Sequence, residues 1–245
     1  MACVAFAPDG THAATGCAKG RPASTKIHLW DVREAAPKLV DHLDGHDVSV
    51  TALAYAPDGK RLISGDAGGS VFLWDLEKRR RLFSLKGHDD YIHGVAISAD
   101  GKSALTGGSD GSAVLWNADK GEKVRALPAH PGKVHAVAFG PGPGEATTAC
   151  DDGVIRIWDL KSDKSRELKG HKGAVRAVAV SPDARRLLSG GEDGTIRLWD
   201  AATGKEVRLF RPGEKSVNGV AFTRDGRRAA SGGADRKVRL WELPN

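Results

Sequence analysis

Long apolar runs are missing from this 245-residue chain. No stretch approaches the ~18 residues that a bilayer-crossing helix requires, so no helical membrane span is expected. Met1 leads into ACVAFAPDG, with no basic segment ahead of an apolar one, so no secretory signal is read. Cysteines are few. Cys3, Cys17 and Cys150 are odd in number, unevenly spaced and without a C-x-x-C pair. That pattern predicts buried or idle thiols in a reducing, cytoplasmic compartment rather than a redox or metal role. Phosphate loops, metal-ligand constellations and a unique nucleophile are also missing, so nothing in the sequence supports an enzyme and no cofactor is expected. The low-hydrophobicity, high-charge signature of disorder is absent too.

What is there is glycine, 31 residues of it, with 11 prolines, which predicts many turns. The net charge of +6 permits an acidic partner without demanding one. Six tryptophans, Trp30, Trp74, Trp116, Trp158, Trp199 and Trp241, follow one another at spacings of 44, 42, 42, 41 and 42 residues. His46, His88, His130 and His171 each precede a tryptophan by 28 residues. Between them recur an apolar segment (VTALAY, IHGVAI, VHAVAF, VRAVAV, with VNGVAF in the sixth repeat), a Pro-Asp-Gly-like turn, a Ser or Thr, and a second turn. A period near 42 with turn signals every ~10 residues predicts four short strands per repeat, here a, b, c and d. Strand a is apolar on both faces and must be buried on both sides. A lone four-stranded sheet cannot do that, but radially packed sheets can.

Gly-His, apolar strand, Pro-Asp-Gly, Ser-Gly, Asp-Gly and Trp-Asp on this spacing resemble the WD-repeat β-propeller family over essentially the whole chain, residues 1–245, read as a single domain. The resemblance implies an all-β fold of six four-stranded blades. As a signal of function it is weak, because this architecture hosts many roles.

The recurring set His171, Ser189, Asp193, Trp199 returns as His88, Thr106, Asp110, Trp116 and as His130, Thr148, Asp152, Trp158. A Ser/His/Asp grouping out of context suggests a hydrolase. An enzyme needs one nucleophile in one pocket, whereas these would be equivalent sets on separate blades. A buried indole N–H needs an acceptor. In the family pattern it bonds the hydroxyl, which bonds the His, which bonds the turn Asp. The set is therefore expected to latch each blade internally. Repeat two departs from it: Gly68 stands in the Asp position, and Asp66, two residues early, is not expected to replace it. Repeat six has Gly213 in place of the His. Repeat one has Thr15 and Trp30, but its b–c connection AKGRPAST is longer and carries no matching Asp. Weak latches are expected at the two ends and firm ones in blades three to five.

Met1 aligns inside strand a, and RKVRLWELPN ends with strand c of repeat six. Blade six should therefore have three strands and an exposed edge, as in an open or truncated propeller. The favoured explanation is a piece of a longer protein. The alternatives are six blades closing by side-chain packing, or self-association through the unfinished edge.

In this family the d–a and b–c loops form one face around the channel. Carried over by spacing, its outward positions are Ser49, Thr51 and Ala67; Tyr91, His93 and Ser109; Lys133, His135 and Asp151; Ala174, Arg176 and Glu192; and Ser216, Asn218 and Ala234. Tyr91 and Arg176 are of the types enriched at interface hot spots. The favoured function is a non-catalytic scaffold binding a protein or peptide on this face, against the plainer reading of a solvated surface. His93 and His135 could lie near each other at the channel rim, but a metal there would need further ligands. Lys60-Arg61, Arg185-Arg186, Arg227-Arg228 and the run Lys78 to Arg81 suggest a second alternative, nucleic-acid binding. Interleaved Asp58, Asp183 and Asp225 and the scarcity of stacking aromatics favour a solvated surface instead. The third alternative is an enzyme or small-ligand domain using the channel.

Overall fold

Short β-branched and apolar segments bounded by Asp-Gly turns form strands wherever both faces find cover. In the computed structural model, which describes residues 3–16, 25–213 and 215–244, they do so in every repeat. Blade 1 is β1 (Cys3–Phe6), β2 (His12–Gly16), β3 (Ile27–Asp31) and β4 (Lys38–Leu43). Blade 2 is β5 (Val50–Tyr55), β6 (Arg61–Asp66), β7 (Val71–Asp75) and β8 (Arg80–Leu85). Blade 3 is β9 (Ile92–Ile97), β10 (Ser103–Gly108), β11 (Ala113–Asn117) and β12 (Glu122–Ala126). Blade 4 is β13 (Val134–Phe139), β14 (Glu145–Cys150), β15 (Val154–Asp159) and β16 (Ser165–Lys169). Blade 5 is β17 (Val175–Val180), β18 (Arg186–Gly191), β19 (Ile196–Asp200) and β20 (Glu206–Phe210). Blade 6 is β21 (Val217–Phe222), β22 (Arg228–Gly233) and β23 (Val238–Glu242).

Each blade is an antiparallel meander in chain order, four-stranded in blades 1 to 5 and three-stranded in blade 6. The fold is all-β, with six blades of the β-propeller type. The chain divides into two compact units, Met1–Ala129 with blades 1 to 3 and His130–Asn245 with blades 4 to 6.

The core of each unit lies between successive blades. Leu62, Phe72 and Trp74 of blade 2 pack with Ala14, Ile27 and Leu43 of blade 1. Trp116 packs with Ile63, Leu73 and Leu85 of blade 2. In the second unit Trp199 packs with Ile155, Ile157 and Leu168 of blade 4. Burying one such side chain contributes ~1.5–3 kcal/mol, so the junctions stabilise what a single sheet cannot. Close approach depends on the glycine of strand b. A Cβ on Gly190 would sit 2.6 Å from Val217 of the next blade.

Two strands leave a face uncovered. On β1, Val4 and Phe6 are exposed, and on β23, Val238 is 81% and Leu240 is 65% exposed. As expected from the sequence, β23 has no fourth strand paired to it among the described residues. The connection AKGRPAST lies outside the described residues except for Thr25, and so does Cys17. Cys150 is fully buried, with its thiol directed at the Gly132 carbonyl, and burial pushes that thiol up.

Candidate functional site

The latches fix the loops that carry the candidate surface. In blade 5 the Trp199 indole donates to the Ser189 hydroxyl at 2.9 Å, Ser189 lies 2.8 Å from His171 Nε2, and His171 Nδ1 lies 3.0 Å from Asp193. An indole only donates and a carboxylate only accepts. The two ends therefore set the direction. Ser189 donates to Nε2, and Nδ1–H donates to Asp193. Blade 3 repeats the chain through Trp116, Thr106, His88 and Asp110 at 2.9, 2.6 and 2.9 Å. Burial pushes both His88 and His171 below the ordinary histidine value, against the pull of their aspartates, which suits neutral rings. Burial alone would raise the Asp193 carboxyl, but the Lys172 amide, the Thr195 hydroxyl and His171 together hold it at about 2.

Blade 2 corrects the sequence reading. Asp66 does replace the missing turn aspartate: it lies 2.7 Å from His46 Nδ1 and also accepts from the amides of Gly68 and Ser70. His46 reaches Ser64 at 2.6 Å, and Trp74 donates to Ser64 at 2.8 Å. The His46 and Asp66 side chains are each 1% exposed, so this latch, expected to be weak, is the most deeply buried of the His–Asp pairs. In blade 4, Trp158 and His130 both reach Thr148, while Asp152 accepts from the Val154 amide and the Arg156 guanidinium. Blades 1 and 6 keep the indole–hydroxyl link, Trp30 to Thr15 and Trp241 to Ser231, each at 2.9 Å.

The latches bring the expected surface positions together in threes. The amide of Ala67 donates to the Ser49 carbonyl, Ser109 to Tyr91, Asp151 to Lys133, Glu192 to Ala174 and Ala234 to Ser216, all at 2.8–3.0 Å. The third position of each set owes its placement to a β-bulge. In blades 2 to 6 the register between strands a and b shifts after the first residue pair. The residue left over is Thr51, His93, His135, Arg176 or Asn218. A bulge leaves its extra residue out of the ladder and re-aims the side chain. Blade 1 pairs β1 with β2 without a shift.

These positions differ in what they offer. Thr51 is pinned, donating to the Ile92 carbonyl at 2.5 Å. Tyr91 and His93 have their rings 4.7 Å apart, and His93 Nε2 lies 2.7 Å from the Ser109 hydroxyl. Burial raises the Tyr91 phenol. In the second unit a polar chain crosses from blade 4 to blade 5: Asp151 lies 2.5 Å from His135 Nε2, Arg176 lies 3.2 Å from the same nitrogen, and Arg176 donates to Glu192 at 3.2 Å. Burial would raise the Asp151 carboxyl, but His135 holds it low. Lys133, Glu192 and Asn218 are exposed, and Ser49 and Ser216 are half-buried. His93 and His135 belong to different units. Among the described residues no group of three or more His, Cys, Asp or Glu side chains is arranged to hold a metal ion.

The basic residues need a correction as well. Arg61 and Arg186 are not free surface charges. Arg61 bonds Asp119 and the Gly101 carbonyl of blade 3, and Arg186 bonds the Pro244 and Gly226 carbonyls of blade 6. Lys60 pairs with Glu77, and Arg79 pairs with Asp41.

A family model, the WD domain or G-beta repeat, matches residues 37–75, 79–117, 121–159, 162–200 and 204–242. The chain belongs to the WD-repeat family. Among curated WD-repeat relatives, it is 34% identical over 79 residues to periodic tryptophan protein 2 homolog of Neurospora crassa, covering 32% of this chain and 8% of that one. It is 33% identical over 78 residues to COMPASS component SWD1 of Saccharomyces cerevisiae, covering 31% of this chain and 17% of that one. It is 36% identical over 84 residues to retinoblastoma-binding-like protein E of Dictyostelium discoideum, covering 34% and 15%. These matches span less than a fifth of each relative's length.

Proposed function

We propose that this WD-repeat chain is a non-catalytic scaffold that binds a protein or peptide through the bulge-carried ends of its blades. The observation that carries the reading is the repeated bulge, which releases one side chain per blade from the sheet ladder at the same end of blades 2 to 6. The side chains there are of mixed chemistry: an aromatic pair, Tyr91 with His93, in one unit, and the polar chain Asp151–His135–Arg176–Glu192 in the other. Aromatic and arginine side chains on a preformed surface suit recognition at low entropic cost. The hydroxyls of Ser64, Thr106, Thr148 and Ser189 are fully buried and each accepts from an indole N–H, which speaks against a role as nucleophiles. The names of two relatives, a component of COMPASS and a retinoblastoma-binding-like protein, describe association with other proteins and support the same class.

A peptide-display selection on the purified chain tests the reading. Selected peptides should lose about tenfold or more in affinity on Tyr91→Ala or Arg176→Ala, the loss expected of a hot-spot residue. Peptides that bind both variants undiminished would place recognition elsewhere.

A further inference from the structure

Two junctions within the units carry the same arginine clasp, and the junction of blades 1 and 2 lacks it; where blade 4 meets blade 5, Glu145 opens β14 and its partner Arg166 donates to the Ala201 carbonyl instead. Where blade 2 meets blade 3, Arg61, the first residue of β6, reaches over the turn between β9 and β10. Its guanidinium donates to the Gly101 carbonyl at 2.8 Å and to Asp119, three residues past Trp116, at 2.9 Å. Where blade 5 meets blade 6, Arg186, the first residue of β18, does the same. It donates to the Gly226 carbonyl at 2.8 Å and to the Pro244 carbonyl, three residues past Trp241, at 2.9 Å. The equivalent acceptors where blade 1 meets blade 2 are the Gly59 carbonyl and Glu77, three residues past Trp74. The position that should supply the arginine is the first residue of β2, and it is His12. The His12 ring is held back by the Thr11 hydroxyl at 2.7 Å.

The second filler differs as well, with an Asp41–Arg79 ion pair standing where Phe83 packs on Gly121. At the blade 2–3 junction Phe83 of β8 packs against Gly121. Its counterpart on β4, by register opposite Leu29 as Phe83 is opposite Leu73, is Asp41. A groove of about 550 Å³ opens there, lined by Gly59, Glu77, Asp9, Asp58, Tyr55 and Leu76 among others. That volume is in the range of sites that enclose a side chain or a small ligand. Its lining sets three carboxylates, Asp9, Asp58 and Glu77, against the cations Lys60 and Arg79. Its Lys60–Glu77 ion pair is 63% and 62% exposed, the kind of pair that holds little energy and yields readily.

We propose that this groove is a binding site for the arginine side chain of a partner polypeptide, which completes in trans the guanidinium clasp that Arg61 and Arg186 complete in cis. The planar fork of a guanidinium matches two acceptors held apart by the fold, the Gly59 carbonyl and the Glu77 carboxylate. The site lies at the turn end of the blades, away from the bulge residues, and does not rest on the function proposed for them.

The test is an amide-NMR titration of the full chain with acetyl-Ala-Arg-Ala-amide, alongside the citrulline and lysine peptides. The arginine peptide should shift the amides of residues 58–60 and 76–78 saturably. Citrulline, which keeps the shape and loses the charge, should bind about tenfold or more weakly. His12→Arg should fill the cradle from within and abolish the titration, with a higher thermal midpoint. Glu77→Gln, on an exposed turn, should weaken arginine binding with the fold intact. Equal binding of all three peptides, shifts elsewhere, no shifts at all, or a titration unchanged in both variants would each overturn the proposal.

Discussion

Asp66→Ala should destabilise the first unit more than Asp110→Ala, although both remove the aspartate of a latch. Asp66 is 1% exposed and accepts from His46 Nδ1 at 2.7 Å and from two turn amides at 2.9 Å each. Its removal strands a buried imidazole N–H beneath Phe72, whose ring stacks on His46 at 4.3 Å. A hydrogen bond to a charged group contributes ~1.5–3 kcal/mol, and the turn amides add less because water reaches that turn, so the expected cost is ~2–4 kcal/mol. Asp110 is 17% exposed, and the Ser112 hydroxyl already lies 2.9 Å from His88 Nδ1, ready to accept in its place. The expected cost there is ~1–2 kcal/mol. Both positions belong to the Met1–Ala129 unit, so urea unfolding followed by tryptophan fluorescence reads them on the same transition. Pairing Asp66→Ala with His46→Ala in a double-mutant cycle should recover a coupling of at least ~1 kcal/mol. Equal costs for the two aspartates, or a cycle that closes to zero, would refute the argument that burial and the lack of a substitute acceptor set the strength of a latch.

Ala184 holds a φ of 60° in the turn where Gly59, Gly101 and Gly226 stand in other blades, so Ala184→Gly should raise stability by ~0.5–1 kcal/mol, measured by urea denaturation. Gly213→His should give blade 6 the latch it lacks. Among the described residues nothing lies within 4 Å of a Cβ there, and a small cavity lined by Ser231 and Asp235 sits alongside, so a gain of ~1 kcal/mol and slower exchange of the Trp241 indole proton are expected. Gly190→Ala should cost ~1–3 kcal/mol by pressing on Val217, read as a lower denaturation midpoint. Acid should act in two stages. His88 and His171 have folded values below 6.5, so their contribution is full above that pH and is lost as pH falls, because the unfolded chain takes up protons the folded one refuses. Asp66, Asp110 and Asp193 are likewise held below 3.8, and their contribution is lost as pH falls further, for Asp193 down to about 2. A stability profile flat from pH 7 to 4.5 would contradict the first stage.

The strand pattern was legible because short apolar segments bounded by turn residues on a fixed period report local structure directly. VTALAY, IHGVAI, VHAVAF, VRAVAV and VNGVAF are β5, β9, β13, β17 and β21 residue for residue. The three-stranded sixth blade was legible for the same reason. Asp66 was missed because a fixed spacing locates a backbone position, whereas the side chain at the end of β6 reaches the same His46 nitrogen from two residues earlier. Arg61 and Arg186 were read as solvated charges because a period says that an arginine opens strand b, not which carbonyl of the following blade it reaches. The bulges left no mark that one sequence could show. They appear only when two strands are paired and one residue is left over.

Those bulges separate two demands that most surfaces must reconcile. Thr51, His93, His135, Arg176 and Asn218 share one structural address, yet they include a small alcohol, two imidazoles, a guanidinium and an amide. The ladder bonds on either side run past each of them, so the identity of the side chain is not dictated by the sheet. Across the repeats the chain has thus already carried out a substitution experiment on itself, with five copies of one socket and four chemistries accepted. On the proposed function, new specificities should be obtainable by randomising His93, Arg176 and Asn218 together, with the pinned Thr51, the buried His135 and the latches beneath left as they are.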